Sequence, residues 1–219
     1  MKNYILIAFT FLVSFQGFCQ NDSIDVKNSR EYYNAFDDYF KTVSIQFGAG
    51  LFVPQGQLQN YFGTAPLFEL NANFPLKKGR SIDGVLQLVI PNQQDDFAYL
   101  RTIDTVQAKS TLMFNAFLRL KKHIHHSQDS KVNLGLGIGA STISTNARNP
   151  FYDGKDDENK YELITAFLLM PGVEWSHKFS KNNELIFSFE VQYSPYKIEG
   201  ALREDIGGVA LIPKLSYRF

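Results

Sequence analysis

From Thr42 onward, apolar and polar residues alternate with a period of two in eight separate stretches. Such alternation predicts strands with one apolar and one polar face. The first, 42–53, sets Val43, Ile45, Phe47, Ala49, Leu51 and Val53 against Ser44, Gln46, Gly48 and Gly50. The second, 66–76, sets Phe68, Leu70, Ala72 and Phe74 against Glu69, Asn71 and Asn73. In the third, 81–90, Ile82, Leu86, Leu88 and Ile90 oppose Asp83 and Gln87, with Val85 and Val89 blurring the contrast. In the fourth, 109–121, Leu112, Phe114, Ala116, Leu118 and Leu120 oppose Asn115 and Arg119, with Met113 and Phe117 as exceptions.

The fifth stretch, 131–145, alternates Val132, Leu134, Leu136 and Ile138 with Asn133, Gly135, Gly137 and Gly139. Those glycines leave room inside a narrow barrel or permit strong coiling. The sixth, 163–179, sets Phe167, Leu169, Val173, Trp175 and Phe179 against Ala166, Gly172, Glu174, Ser176 and Lys178. Its Pro171 lacks a backbone donor and predicts a bulge. The seventh, 184–194, sets Leu185, Phe187, Phe189, Val191 and Tyr193 against Glu184, Ser188, Glu190 and Gln192. The eighth sets Val209, Leu211, Leu215, Tyr217 and Phe219 against Lys214, Ser216 and Arg218.

The connections alternate in length. Those around 77–80, 122–130 and 180–183 are short, whereas those around 54–65, 91–108, 146–162 and 195–206 are long. Short periplasmic turns alternating with long outer loops are the pattern of an outer-membrane barrel, which places both ends of the strand array on the periplasmic side. Aromatic residues gather near strand ends, with Tyr39, Phe40, Trp175, Phe179 and Tyr217 expected at one rim and Tyr61, Phe62, Tyr161, Tyr193 and Tyr196 at the other. The expected fold is all-β, an eight-stranded antiparallel up-and-down transmembrane β-barrel over residues 42–219.

Composition sharpens this picture. Mean hydropathy is −0.19, as expected when only alternate strand residues face lipid. Beyond the first residues no apolar run reaches the roughly 18 to 20 residues of a spanning helix, so any spanning falls to strands. Lys plus Arg and Asp plus Glu each number 22, giving no basic field for a nucleic-acid partner. Residues 1–19 read as a signal peptide, with Lys2, an apolar stretch from Tyr4 to Phe15, and Gly17 and Cys19 before the cut; cleavage after Gln20 fits nearly as well. Either cut removes Cys19, the one cysteine, and Phe18 is too bulky for a lipobox. Residues 20–41 form a periplasmic N-terminal segment, in which Tyr32 to Lys41 suits an amphipathic turn or an interfacial lead-in.

The closing stretch Pro213-Lys214-Leu215-Ser216-Tyr217-Arg218-Phe219 alternates and ends in phenylalanine. Here the chain resembles small bacterial outer-membrane β-barrel proteins of the OmpA-like or OmpX-like porin superfamily. The resemblance covers about Thr42 to Phe219 and rests on pattern. It implies that the barrel-assembly machinery reads Phe219, and that outer-membrane lipid and lipopolysaccharide surround a monomer. The Gln at the cleavage site is similar to exported proteins of the Bacteroidetes. No large domain follows the barrel, so peptidoglycan anchoring is not expected.

Eight strands leave an interior just wide enough for side chains. The inward candidates are Glu69, Asn71, Asp83, Gln87, Asn115, Arg119, Glu174, Lys178, Glu190, Lys214 and Arg218. Buried charges must pair. Counting back from the hairpins puts Glu190 near Lys214 and Glu174 near Glu190, predicting a Glu174, Glu190, Lys214 and Arg218 network, with Arg119 and Glu69 as further inward charges. A charged plug is the structural reading, and a gated ion path the sharper one.

His123, His125 and His126 read as a solvated turn, with His123 and His125 on one side; no carboxylate or cysteine at diagnostic spacing makes them a metal site. The acidic stretch 153–158 lacks the calcium-loop spacing and reads as a solvated outer loop. Ser176 and His177 are adjacent and point to opposite faces, and His126-Ser127 lies at the wrong end for the outer leaflet, so no nucleophile and base emerge. The expectation is a small non-enzymatic outer-membrane barrel with a polar, plugged lumen and no cofactor, acting in membrane integrity or surface interaction. A narrow channel, a lipid-modifying enzyme and a soluble lipocalin-like carrier are the alternatives.

Overall fold

The alternating stretches fold as strands whose register is set by which face must be covered. The computed structural model describes residues 42–100, 105–127, 129–148, 161–179, 183–198 and 205–218. The signal peptide, the segment 20–41, the acidic stretch 153–158 and Phe219 lie outside the described residues. Eight long strands run in order: β1 (Ser44–Gln55), β2 (Ala65–Leu76), β3 (Arg80–Val89), β4 (Ser110–His126), β5 (Ser130–Arg148), β6 (Tyr161–Lys178), β7 (Glu184–Lys197) and β8 (Asp205–Arg218). Each is antiparallel to its sequence neighbours, and β1 pairs with β8 from Gln46↔Arg218 to Gln55↔Val209. The sheet thus closes into an eight-stranded antiparallel barrel with no free edge.

The pleat sends successive side chains to opposite surfaces. Leu118 is 64% exposed and Phe167 55%, whereas their chain neighbours Phe117 and Leu168 are 5% and 0% exposed. The outer surface is therefore a continuous apolar band that includes Phe47, Phe68, Leu134, Ile138, Phe187 and Leu215. A one-residue slip would turn this band inward and the charges outward, so the register is strongly specified.

The interior is layered. Toward the short turns the buried inward residues are polar, among them Gln46, Asn71, Asp83, Arg119, Lys121, Asn133, Glu174 and Glu184. Toward the long loops they are apolar: Phe52, Leu67, Val89, Met113, Ile143, Leu168, Ile206 and Ile212 belong to one buried cluster. The expected polar lumen is thus polar over only part of its height. Val85, Val89, Met113 and Phe117, which break the alternation, do so because they face an apolar or mixed interior.

Described parts of the first two long loops cover this apolar layer. After β1, a 3-10 turn at Gly56–Asn60 buries Leu58, and Phe62–Gly63 pairs with Asn92–Gln93. A second small hairpin joins Phe97–Leu100 to Thr105–Ala108. Phe97 lies 5.9 Å from Phe62 and 5.6 Å from Tyr61, centroid to centroid, and Leu58, Phe62 and Phe97 join the buried cluster. Phe62 and Tyr196, expected in the outer aromatic girdle, are buried instead, Tyr196 because it shares the inward parity of Glu190 and Gln192 and Phe62 because its loop strand packs against Phe97; Tyr61 packs against the same cluster. Tyr161 and Tyr193 at one end, and Trp175 and Phe179 at the other, do face outward.

Two local expectations are corrected. The connection expected over 122–130 shrinks to 127–129, because β4 continues through His123↔Asn133, His125↔Val132 and His126↔Lys131. The three histidines therefore lie in a strand, and a register shift between His123 and His125 sets them opposite residues of different faces. Pro171 makes no bulge. It pairs with Leu136, and the β6–β7 register passes from Leu169↔Tyr193 to Gly172↔Glu190 at one offset. The missing donor leaves the register intact.

The glycines of β5 make room for a neighbour. A Cβ on Gly139 would lie 2.2 Å from the Ala116 carbonyl oxygen and 2.5 Å from Phe117 Cβ, and one on Gly137 would lie 2.8 Å from the Phe117 ring. Phe117 occupies this space, and the Arg119 guanidinium carbon lies 5.2 Å from its ring centroid. Gly139→Val should lower stability by about 1–3 kcal/mol through overpacking, read as a lower urea midpoint of the refolded barrel; an unchanged midpoint would contradict this packing.

Candidate functional site

Interior charges are the chemistry this fold concentrates, since alternation delivers one inward side chain from each strand at each level. Arg119 on β4 sits at the centre. Its Nη2 lies 3.1 Å from Glu69 Oε2 of β2 and 2.8 Å from Glu190 Oε1 of β7, and its Nη1 lies 3.6 Å from Asp83 Oδ2 of β3. Lys214 on β8 joins the same carboxylates, contacting Glu69 and lying 2.8 Å from Glu190. Lys121 extends the chain of pairs toward the short turns, 2.8 Å from Asp83 and 3.2 Å from Glu174. All seven side chains are at most 8% exposed.

Neutral donors add to three of the four carboxylates. Asn71 and Asn73 donate to Asp83 at 2.9 and 2.6 Å, Gln87 to Glu69 at 2.7 Å, and Asn133 to Glu174 at 2.8 Å. A second amide layer lies above. Asn115 donates to Gln87 at 3.0 Å and to Gln192 at 3.1 Å, and Gln192 donates to the Tyr196 hydroxyl at 3.0 Å. Such satisfaction matters, because an unpaired buried charge is heavily penalised.

Of the four residues predicted to form a network, Glu190 and Lys214 meet through a diagonal contact, since the β7–β8 register places Lys214 opposite Ser188 and Glu190 opposite Ile212. Glu174 does not sit beside Glu190: the β6–β7 register places Glu174 opposite Ser188 and Gly172 opposite Glu190, and Glu174 joins through Lys121. Arg218 lies apart, paired with Glu184 near the short-turn mouth. With its amide oxygen turned toward Arg218, Gln46 accepts from Nε at 2.9 Å and Nη2 at 2.7 Å. Arg119 and Glu69 prove central. Lys178, expected inward, is exposed at the rim. Lys121 was missed because it lies at the last position assigned to its stretch, although its parity with Arg119 already placed it inside.

The histidine chemistry takes another form than Ser176–His177. Ser130 on β5 lies opposite His177, with its hydroxyl 3.0 Å from Nδ1. The His177 ring is stacked 6.1 Å from Trp175 and edge-on 5.0 Å from Phe179. That environment is an aromatic rim. Among the described residues, no group of three His, Cys, Asp or Glu side chains is arranged to hold a metal ion.

No protein-family model and no curated protein matches this sequence. Solved structures do. Neisserial surface protein A aligns over 80% of this chain and 95% of its own, with a TM-score of 0.56 at 11% identity. This likeness shows a shared fold. The Yersinia pestis attachment invasion locus protein Ail, solved with the heparin analogue sucrose octasulfate, covers 81% of this chain and 97% of its own, with a TM-score of 0.43 at 12% identity. A major outer membrane protein from Thermus thermophilus covers 81% and 100%, with a TM-score of 0.45 at 13% identity. The structural neighbours are thus bacterial outer-membrane barrels.

The geometry ranks the charged positions. Lys214→Met leaves Glu69 and Glu190 short of a buried cation and should cost about 3–5 kcal/mol. Arg218→Gln, at a partly exposed pair, should cost less. Thermal unfolding followed by circular dichroism checks the order, and equal or absent shifts would contradict the central place of Lys214.

Proposed function

We propose that this chain is a non-catalytic, monomeric integral barrel of a bacterial outer membrane, closed to free ion flow and acting in membrane integrity or surface contact through its long loops. The observation that carries the reading is the double closure of the interior. A lattice of ion pairs joins β2, β3, β4, β6, β7 and β8 across the lumen, and an apolar layer under folded loops lies above it. An eight-stranded wall encloses an interior just wide enough for such side chains to fill.

The membrane part of the reading is supported by the exposed apolar band, which a soluble protein would have to hide. The short turns then face the periplasm and the long loops the exterior. Outer-membrane phospholipid and lipopolysaccharide are the surrounding partners, Phe219 is the signal for the assembly machinery, and residues 1–19 are removed on export. The Ser130–His177 pair lies at the short-turn end, away from the outer mouth where a lipid-modifying pair would act.

Purified full-length chain added to planar lipid bilayers tests the closure. The expected result is incorporation, seen as protection from added protease, without stepwise conductance. Steady steps at neutral pH would overturn the closed lumen in favour of a narrow channel. An altered lipid A mass spectrum in cells that express the protein would overturn the non-catalytic reading.

A further inference from the structure

The net charge of zero conceals a crowding of exposed cations at the short-turn end among the described residues. At the short-turn end Lys77, Lys78, Arg80, Lys122 and Lys178 are exposed and Lys131 is half-buried. Among the described residues there, Asp129 is the exposed carboxylate, since Glu184 is buried against Arg218. At the long-loop end exposed acids and bases mix, Asp95 and Asp205 with Lys109 and Lys197.

Within the basic rim two cations are held side by side. The β3–β4 register sets Arg80 directly opposite Lys122, and the next pair, Ser81 and Lys121, is buried inward. Alternation therefore turns Arg80 and Lys122 outward together, onto the same wall as the apolar band. Like charges directly opposite one another destabilise a strand pair. No carboxylate pairs with either among the described residues. The adjoining turn adds Lys78, held at φ 63°, a left-handed conformation that favours glycine or asparagine. The main chain locks the cluster together, because His123 N–H donates to the Gly79 carbonyl at 2.9 Å.

Apolar side chains frame the pair. Leu76 lies opposite Arg80 on β2, Leu134 lies opposite Lys122 on β5, and Ile82 and Leu120 form the next outward rung. Leu76 and Ile124 are 42% and 54% exposed. Cations set at the lower edge of an exposed apolar band match a phosphate standing over acyl chains, and suit a soluble acidic protein poorly. We propose that Arg80 and Lys122, aided by Lys77 and Lys78, form a binding site for the headgroup phosphate of an anionic phospholipid in the periplasm-facing leaflet. This inference rests on the membrane reading above.

Native mass spectrometry of the refolded full-length barrel, released from detergent containing phosphatidylglycerol or phosphatidylcholine, tests it. Phosphatidylglycerol should be retained in preference to phosphatidylcholine. Retention should fall about thirtyfold in the Arg80→Gln, Lys122→Gln double variant, from roughly 1 kcal/mol per cation near a lipid surface. It should persist in the Arg80→Lys, Lys122→Arg variant and in Lys109→Gln at the other end, and should resist competition by equimolar glycerol phosphate. Equal retention of the two lipids, or retention unchanged in the double glutamine variant, would overturn the site; full competition by glycerol phosphate would reassign it to a free phosphate. A heat-dependent shift in gel mobility shows that each variant has folded. Failure of the wild-type chain to enter phosphatidylcholine vesicles would instead count against the membrane reading itself.

Discussion

A guanidinium in the interior of an eight-stranded barrel must find its counter-charges there, and the arrangement of this protein follows from that constraint on Arg119. Three carboxylates from three strands converge on it, at 2.8 to 3.6 Å. Two of those, Glu69 and Glu190, have a second cation in Lys214, and the third, Asp83, has one in Lys121. The resulting lattice ties together strands that are not neighbours in the wall, which main-chain hydrogen bonds cannot do. It also explains the small residues of β5: Gly137 and Gly139 admit the Phe117 ring, over which Arg119 lies.

The wall shows the inverse of a soluble protein. Large apolar side chains stand exposed outside while amides and charges are buried inside, the distribution expected of a barrel whose outer wall meets hydrocarbon. The interior is nevertheless not uniformly polar. Its apolar upper layer, sealed by Leu58, Phe62 and Phe97 from the loops, packs like an ordinary core. The ion-pair lattice lies below it, away from the long loops.

Much of this is legible in the alternation. The eight strands, their inward faces and the loop parity follow from a period of two, and counting one hairpin brings Glu190 and Lys214 within a diagonal of each other. The partner of Glu174 does not follow, because a two-residue difference in the β6–β7 turn moves it from Glu190 to Ser188. Contacts across the lumen, such as Arg119 with Glu69 and Glu190, depend on the stagger of the whole barrel, which no single hairpin encodes. The apolar layer was visible in Val89, Met113 and Phe117, yet a strictly two-faced template treats such residues as noise. Pro171 suggested a bulge for the same reason: local chemistry named a cost, and the pairing on its other side with Leu136 absorbed it.

The central claim is that the interior charges act as one lattice rather than as independent pairs. A double-mutant cycle on Arg119→Met and Glu190→Gln, measured by equilibrium unfolding of the refolded barrel, tests this most directly. The account predicts that the double variant is more stable than the sum of the two losses implies, with a coupling of about 1–3 kcal/mol as for residues sharing one buried network. Losses that simply add would contradict it, and would leave Arg119 and Glu190 as neighbours with no shared energetic role.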